Sequence, residues 1–428
     1  MKQSFQCLKK ALIHSVNNME YFAEKYIHSL LKFGIKPGLQ RVSELCNGLE
    51  NPQNELKFIH VAGTNGKGSV STQMANILAF AGYKTGLFIS PYILDFRERI
   101  QINSEWISKD DLESCTFKVK AVAEKMAEQP TEFEVITAIA FLYFKEQNCD
   151  YVVLETGLGG RFDSTNIIKK AECSIITSIS LDHMAVLGDT ISQIAYEKCG
   201  IIKDNGITVS YPKQDEDALK VIKQSAKDKN NKLVLPEKSE IINESINGTA
   251  IAYKGLKYYI PMIGEHQVLN TITTIEAALQ LGIPTNHIVN GIRNTKLPAR
   301  VEVISENPLI VLDGGHNEAG AKALSYVLKK HVDKEVVAVM GMMADKECDK
   351  LISEIAPLCK TVIATEVPEN PRTLKADELA HLVSEYTEAI AIKNPEEAFY
   401  KAKELAGNEK ALLVCGSLYL ASEIKKFI

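Results

Sequence analysis

The sequence lacks the features that would assign it to a membrane, an oxidising compartment or nucleic acid. None of its apolar runs reaches the roughly 20 residues that a membrane helix needs, and its N-terminus does not have the pattern of a secretory signal. Nine cysteines are scattered without any CxxC spacing, which is typical of reduced thiols. A formal net charge of −5 offers no general attraction to nucleic acid or membranes. These absences predict a soluble, cytoplasmic protein that holds any anionic ligand locally.

The length of the chain predicts more than one domain. Its 428 residues exceed what one compact core usually contains, and no internal repeat is present. Apolar residues at helical spacing begin near Met19, so residues 1–18 are predicted to be a dispensable N-terminal extension. Pro298 marks a linker between predicted domains over residues 19–297 and 298–428. We expect a monomer.

The most informative stretch runs from Phe58 to Ser71, FIHVAGTNGKGSVS. An apolar strand leads through a glycine-rich turn into a helix, and this arrangement binds phosphate with backbone N–H groups and a helix N-terminus. The turn departs from the usual GxxxxGK[ST] motif. Val61 occupies the place of the first glycine, and Gly68 separates the lysine from Ser69. We predict a phosphate-binding loop in which Lys67 lies near the β and γ phosphates of a nucleotide.

Strands and helices alternate through most of the chain. Apolar strands are predicted over residues 85–90, 151–156 and 173–179, and again over residues 309–313, 336–341, 361–366, 389–393 and 411–416. Such alternation predicts an α/β fold with a parallel, doubly wound sheet, which binds ligands at the carboxyl ends of its strands. A small antiparallel appendage is expected near residues 255–263. The second series of strands predicts a smaller, Rossmann-like α/β domain.

Polar residues follow several of these strands or lie on nearby helices. Glu155 leaves a strand just before a run of glycines, where a carboxylate is a natural magnesium ligand. His183 also follows a strand, but a single histidine is as often structural. Lys198 lies on an apolar helix, and the residues alone favour a packed or paired lysine over a desolvated, reactive amine. Asp313 and His316 lie in LDGGHNEAG, where a tight turn explains the glycines but not the histidine.

Eight segments together resemble the folylpolyglutamate synthase and dihydrofolate synthase family, itself similar to the Mur ligases. In chain order they are HVAGTNGKGS, SPYILDFRERI, ETGLGGRFDSTN, SISLDHMAVLGDTISQIAYEKCGIIK, GEHQVLN, LPARVE, LDGGHNEAG and ENPRTL. The chain departs from the family pattern at Tyr92 (usually His), Ser164 (Ala), Cys199 (Ala), Ala299 (Gly) and Gly315 (Ala).

The resemblance implies an ATP-dependent amide ligase with an N-terminal ATPase domain and a C-terminal glutamate ligase domain. ATP would phosphorylate a pteroyl carboxylate, and L-glutamate would attack the acyl phosphate. The implied nucleotide-binding residues are Gly63, Thr64, Asn65, Gly66, Lys67, Gly68, Ser69, Asn270, Arg300 and Asp313. Mg²⁺ would be held by Ser90, Glu155 and His183, and the incoming glutamate by His316 and Ser417. Lys198 would carry a carbamate. The residues expected to act in catalysis are Lys67, Lys198, Arg300 and His316.

Two alternatives stay open. A cell-wall Mur ligase would carry a further domain ahead of the phosphate-binding loop, and only 57 residues precede Phe58. A non-catalytic nucleotide-binding module would be expected to lose Lys67, Glu155, His183 or Lys198, and all of these are present. The sequence does not choose between dihydropteroate and a reduced folate as acceptor, and the resemblance favours the use of both.

Overall fold

The computed structural model describes residues 22–34, 36–344, 348–368 and 370–428. The predicted extension over residues 1–18 lies outside these ranges. The α-helices are α1 (Phe22–Ser29), α2 (Gln40–Gly48), α3 (Lys67–Phe80), α4 (Lys109–Ala123), α5 (Glu132–Glu146), α6 (Met184–Leu187), α7 (Ile191–Lys198), α8 (Glu216–Asp228), α9 (Glu265–Gln280), α10 (Thr285–Arg293), α11 (Glu318–His331), α12 (Cys348–Ile355), α13 (Ala376–Val383), α14 (Pro395–Ala406) and α15 (Leu418–Lys425). Across the described ranges, none of the helices is both long and apolar enough to cross a membrane.

The strands form three sheets. The first contains β1 (Phe58–Ala62), β2 (Thr85–Phe88), β3 (Ile100–Ile102), β4 (Glu105–Trp106), β5 (Tyr151–Glu155), β6 (Cys173–Ile176), β7 (Ile207–Ser210) and β8 (Lys232–Val234). The second contains β9 (Glu240–Ser245), β10 (Gly248–Tyr253) and β11 (Leu256–Ile260). The third contains β12 (Glu302–Glu306), β13 (Leu309–Leu312), β14 (Val336–Met340), β15 (Thr361–Ala364), β16 (Glu388–Ala391) and β17 (Ala411–Cys415).

Strand β1 lies inside the first sheet, whose order is β4-β3-β2-β5-β1-β6-β7-β8. It pairs in parallel with β5 and β6, and all five of its residues are buried. Phe58 packs on one face in a cluster with α2 and α5, while Ile59 and Val61 pack on the other face with α3 and α9. Because helices cover both faces, the strand is apolar throughout apart from His60. This packing fixes the strand end from which the glycine-rich turn leaves.

The third sheet has the order β12-β13-β17-β14-β15-β16 and is parallel except for β12, which pairs antiparallel with β13. Its helices bury a core on each face. The three antiparallel strands β9 to β11 lie between the two larger sheets in the sequence. The division at residue 298 stays a proposal. It falls between the end of α10 and the start of β12.

The α/β prediction is confirmed, with differences at the edges of the sheets. The sequence predicts one helix over residues 109–128, but α4 ends at Ala123. The antiparallel appendage begins at Glu240 rather than near residue 255. Strands β3 and β4 were not predicted, and they pair antiparallel beside β2. They contain three and two residues, too few to show an alternating pattern in a sequence.

Candidate active site

The turn after β1 depends on glycine at two positions. Gly63 has φ +157°, and a Cβ atom there would lie 1.8 Å from Thr177 Oγ1. Gly66 has φ +86°, and its Cβ would lie 2.4 Å from Asn270 Oδ1 on α9. Helix α3 then begins at Lys67 with Gly66 as its N-cap residue. The turn therefore presents backbone N–H groups and a helix N-terminus, which together attract anions.

This turn forms one wall of a cavity of about 470 Å³ between the first and third sheets. Most of the predicted site residues line it, namely Thr64, Asn65, Gly66, Lys67, Gly68, Ser69, Ser90, Glu155, His183, Asn270, Arg300, Asp313 and His316. Three predicted residues do not line this cavity. Gly63 and Lys198 are joined by a hydrogen bond, in which Lys198 Nζ donates to the Gly63 carbonyl. The Ser417 hydroxyl is buried and caps α15 by accepting from Tyr419 N at 3.1 Å.

Two lysines converge on the carbonyl of Gly63. Lys198 Nζ donates to it at 2.7 Å, and Lys67 Nζ donates to it at 3.2 Å and to the Thr64 carbonyl at 3.3 Å. Burial and, to a smaller extent, the positive charge of Lys67 together lower the pKa of Lys198 to about 7. The neutral amine of Lys198 is therefore well populated at neutral pH.

Glu155 ends β5 as a buried carboxylate that faces the phosphate-binding loop. Its Oε2 accepts a hydrogen bond from Ser90 N at 3.2 Å. Burial raises the pKa of Glu155 to about 7, an effect that Lys67 opposes. A cation beside this group would favour its ionised form. His183, at the start of α6, has a half-exposed side chain whose Nε2 lies 3.6 Å from Asp182 Oδ2.

These residues fit a hard cation that is coordinated partly by the protein and partly by the phosphates of a bound substrate. Within the described ranges, no group of three or more His, Cys, Asp or Glu side chains is placed to hold a metal ion. Magnesium usually keeps one or two carboxylates beside substrate phosphates and water. The Glu155 carboxylate and the Ser90 hydroxyl, which line the same cavity as the phosphate-binding loop, match that pattern.

Arg300 reaches the cavity from a loop with unusual backbone angles. Ala299 has φ +52° and Val301 has φ +50°, so the residues on both sides of the arginine adopt the left-handed conformation. Asp313 stabilises this loop: its Oδ2 accepts from Val301 N at 2.9 Å and its Oδ1 from Gly315 N at 2.8 Å. Burial raises the pKa of Asp313, and Arg300 opposes that change. Glycine would adopt the left-handed angle at residue 299 more readily than the alanine that is present.

Contacts across the cavity join its two sides. Asn317 Nδ2, at the start of α11, donates to Asn65 Oδ1 at 2.9 Å. His316 Nδ1 donates to the Gly314 carbonyl at 3.3 Å. His266, which lies in GEHQVLN, also lines the cavity and was not predicted as a site residue. Burial, helped by the positive charge of Arg300, lowers the pKa of His266 to about 4, so the ring is neutral at physiological pH.

A second cavity, of about 460 Å³, adjoins the first and was not predicted. It shares Ser90, Pro91, Gly157 and His183 with the first cavity. Its other walls include Arg99, Thr131, Phe133, Leu158, Gly159, Gly160, Phe162 and Tyr419. Its floor combines a glycine-rich loop with aromatic rings, which suits a flat aromatic ligand.

A buried network holds the glycine-rich loop of the second cavity. Asp163 accepts from Leu158 N at 2.8 Å, from Thr165 N at 3.0 Å and from Thr165 Oγ1 at 2.5 Å. Thr165 Oγ1 is also hydrogen-bonded to His60 Nε2 at 2.9 Å. Burial lowers the pKa of His60 well below its usual value, so its ring is neutral. Because the Thr165 hydroxyl donates to Asp163, the tautomer of His60 that fits this network donates from Nε2 to Thr165 Oγ1. The polar residue inside β1 thus connects the central strand to the second cavity.

Comparisons with known proteins agree along nearly the whole chain. The Mur ligase middle domain matches residues 61–278, and the Mur ligase glutamate ligase domain matches residues 299–418. The chain is 35% identical to the dihydrofolate synthase/folylpolyglutamate synthase of Bacillus subtilis (strain 168), covering 94% of this chain and 98% of the relative. It is 31% identical to the folylpolyglutamate synthase of Lacticaseibacillus casei, covering 94% and 96%.

Solved structures show the same fold. Mycobacterium tuberculosis folylpolyglutamate synthase, complexed with ADP and AMPPCP, aligns with a TM-score of 0.86 at 27% identity over 94% of this chain and 97% of that chain. E. coli FolC in complex with DHPP and ADP aligns with a TM-score of 0.83 at 26% identity over 94% and 97%. With both domain models matched in order, this chain belongs to the folylpolyglutamate synthase/dihydrofolate synthase family of Mur ligases.

Proposed function

We propose that the protein is an ATP-dependent ligase that joins L-glutamate to the carboxylate of a pteroyl compound. The observation that carries this proposal is the shared cavity. The phosphate-binding loop, Glu155 and the Arg300 loop face one another there, and an aromatic-lined cavity opens into the same space. Nucleotide, acceptor and a site for the incoming amine are thus adjacent.

The first step transfers a phosphoryl group. An acceptor carboxylate oxygen attacks the γ phosphorus of ATP, and ADP leaves. Because two anions must approach each other, the barrier falls when fixed positive charge surrounds them. Lys67 and Arg300, which both line the cavity, supply that charge. Ser90, Glu155 and His183 would hold Mg²⁺, which supplies further positive charge to the phosphates when bound.

The second step forms the amide. The amine nitrogen of glutamate attacks the acyl carbon, phosphate leaves with the bonding electron pair, and the nitrogen loses a proton. His316 lines the cavity and is proposed to contact glutamate. Ser417 is also proposed to contact glutamate, because its neighbour Leu418 lines the cavity. The Asn317–Asn65 hydrogen bond supports a closed arrangement that limits hydrolysis of the acyl phosphate.

The pteroyl portion is proposed to occupy the second cavity. Phe133 and Phe162 offer flat apolar faces, and the glycine-rich loop allows close approach of a planar ring system. Ser90 and Gly157 line both cavities, so an acceptor lying in the second cavity places its carboxylate at the entrance to the first.

We also propose that Lys198 carries a carbamate. A neutral lysine nitrogen adds to the carbon of carbon dioxide and releases a proton, and the pKa of about 7 supplies that neutral form. The product is an anion, which suits the cationic surroundings of Lys67. Incubation with labelled carbon dioxide should give a carbamate signal in the wild type and none in Lys198→Arg. Activity of Lys198→Ala should be partly restored by a small carboxylate. Full activity of Lys198→Arg would refute this part of the proposal.

The function is tested by phosphate release from ATP with each acceptor. Release should require both L-glutamate and a pteroyl acceptor, and labelled glutamate should appear in the product. We expect dihydropteroate and a reduced folate monoglutamate both to be used. Phosphate release that ignores the acceptor would refute the ligase, and loss of ligation with dihydropteroate alone would restrict it to polyglutamylation.

Compartment and oligomeric state remain proposals. The cysteines of the described residues are free, and most are buried, which supports a reducing compartment such as the cytoplasm. A monomer is expected, and light scattering at catalytic concentrations measures it.

A further inference from the structure

Arg99 lines the second cavity, and none of the described residues forms an ion pair with it. It ends the short 3-10 helix Phe96–Arg99, and its guanidinium stacks over the rings of Tyr92 and Phe96 at 5.2 and 5.7 Å from their centroids. Its Nε is buried and has no hydrogen-bond partner among the residues that the structure describes. In the described part of the chain, no carboxylate oxygen lies within 4.0 Å of a guanidinium nitrogen of Arg99, which is the limit for an ion pair.

The neighbouring arginine on the same helix differs. Arg97 makes a two-point contact with Asp95, its Nε donating at 2.9 Å and its Nη2 at 2.7 Å. Arg97 does not line the cavity. The same turn of helix thus carries Arg97, which is paired with Asp95, and Arg99, whose guanidinium is positioned by two aromatic rings and can bind a ligand. Stacking of this kind orients the planar guanidinium for two-point contact with a carboxylate.

The acids nearest to Arg99 do not satisfy it. Burial lowers its pKa, and Glu132 and Glu155 oppose that change from beyond ion-pair distance. Burial also raises the pKa of Glu132 above its usual value. A partly buried cation that lacks a contacting anion costs free energy, and an anionic ligand would remove that cost. The wall of the second cavity is therefore set to receive an anion.

The position of Arg99 indicates which anion this is, and the inference rests on the proposed function. A carboxylate that reacts with ATP must meet the phosphates beside Lys67, in the first cavity. Arg99 lines only the second cavity. Dihydropteroate has just the reacting carboxylate. A folate acceptor ends in a glutamyl residue and has a second, non-reacting carboxylate a short distance behind the reacting one.

We propose that Arg99 binds the non-reacting carboxylate of the acceptor's terminal glutamyl residue. Each round of polyglutamylation presents such a group, so the same contact serves every round. The first ligation, to dihydropteroate, does not use it. Arg99 would thereby distinguish two acceptors that share the pterin and aminobenzoyl portions.

Arg99→Met tests this proposal, because methionine keeps an apolar stem over the two rings and removes the charge. The KM for a reduced folate monoglutamate should rise about 10- to 100-fold, the range for losing a charge-assisted hydrogen bond. The kcat/KM with dihydropteroate should stay close to that of the wild type. Calorimetric titration with the monoglutamate, without ATP, should show the same loss of affinity.

A modified acceptor gives a second readout. When an amide replaces the non-reacting carboxylate, the wild type should bind it as weakly as Arg99→Met binds the acid, and the variant should not distinguish acid from amide. Arg97→Met is the matched control and should leave both acceptors unaffected. Equal losses with the two acceptors, or tight binding of the amide by the wild type, would overturn the role of Arg99. A wild type that ligates glutamate to neither acceptor would instead refute the proposed function.

Discussion

Replacing Lys198 by methionine should stabilise the fold and abolish ligation. Lys198 is 4% exposed, and its pKa falls from 10.5 to about 7. Since the unfolded chain holds the ordinary pKa, folding at pH 7 either releases a proton or buries a cation. Either outcome lowers the free energy of unfolding at pH 7 by roughly 4 kcal/mol. Methionine has a similar length and no charge, so the cost disappears in the variant.

The lost hydrogen bond acts in the opposite direction. Lys198 donates to the Gly63 carbonyl at 2.7 Å, and such a bond from a charged or polar donor contributes about 1 to 3 kcal/mol. Lys67 also donates to that carbonyl at 3.2 Å, which leaves it partly satisfied in the variant. The free energy of unfolding should therefore rise by roughly 2 kcal/mol at pH 7.

The pH dependence has a definite sign. Because the folded-state pKa is lowered, the unfolded state binds more protons between about pH 7 and 10.5, and wild-type stability rises through that window. The advantage of Lys198→Met is complete below pH 7 and shrinks above it. It changes sign at about pH 9, where the remaining cost of the wild-type lysine equals the roughly 2 kcal/mol of the lost hydrogen bond. Above pH 10.5 only the missing hydrogen bond distinguishes the two proteins.

Urea denaturation of both proteins across this range, in buffers free of carbon dioxide, measures the effect. Lys203→Met is the matched control. Burial also lowers the pKa of Lys203, to about 8, but its Nζ donates to Asn166 Oδ1 at 2.8 Å and to the Ile168 carbonyl at 2.6 Å. That variant should be destabilised and remain active. A Lys198→Met protein that is less stable than the wild type at every pH would show that Lys198 is an ordinary paired lysine.

Other substitutions test the two cavities. Lys67→Ala should lower kcat by on the order of 100- to 1,000-fold with little change in melting temperature, and turnover near that of the wild type would refute the phosphate-binding loop. Gly66→Ala places a methyl group 2.4 Å from Asn270 Oδ1 at φ +86°, so ADP titration should show weakened binding. Thr165→Val removes the hydroxyl that is hydrogen-bonded to both His60 and Asp163. It should cost on the order of 2 kcal/mol of stability and raise the KM for the pteroyl acceptor, and an unchanged KM would separate this network from the second cavity.

The phosphate-binding loop was predictable because its signals are local. An apolar strand, glycines at two strained positions and a helix start lie within one short stretch, and the structure places them as expected. The strand-end residues Glu155 and Asp313 were predictable because parallel strands direct their carboxyl ends to one edge.

The second cavity could not be predicted because distant segments build it. Arg99, Phe133, Phe162 and Tyr419 come from four separate parts of the chain. Arg99 lies in the charged run RERI, and nothing in that run distinguishes it from Arg97. Only the packing shows that one of the two is paired and the other is not. Ser417 differs from Arg99, because it was predicted as a site residue and the structure shows its hydroxyl capping a helix.

The loop that carries Arg300 limits where the domains of two related proteins can be joined in a hybrid. Left-handed backbone costs about 1 to 2 kcal/mol at a residue other than glycine, and both Ala299 and Val301 adopt it. The carboxylates that hold this loop come after it in the chain: Glu302 accepts from Ala299 N at 2.8 Å, and Asp313 accepts from Val301 N. A hybrid protein joined before residue 299 would inherit the loop with its acceptors. A junction after Val301 would pair the loop with foreign acceptors, so the arginine would lose its orientation while each half kept its own fold.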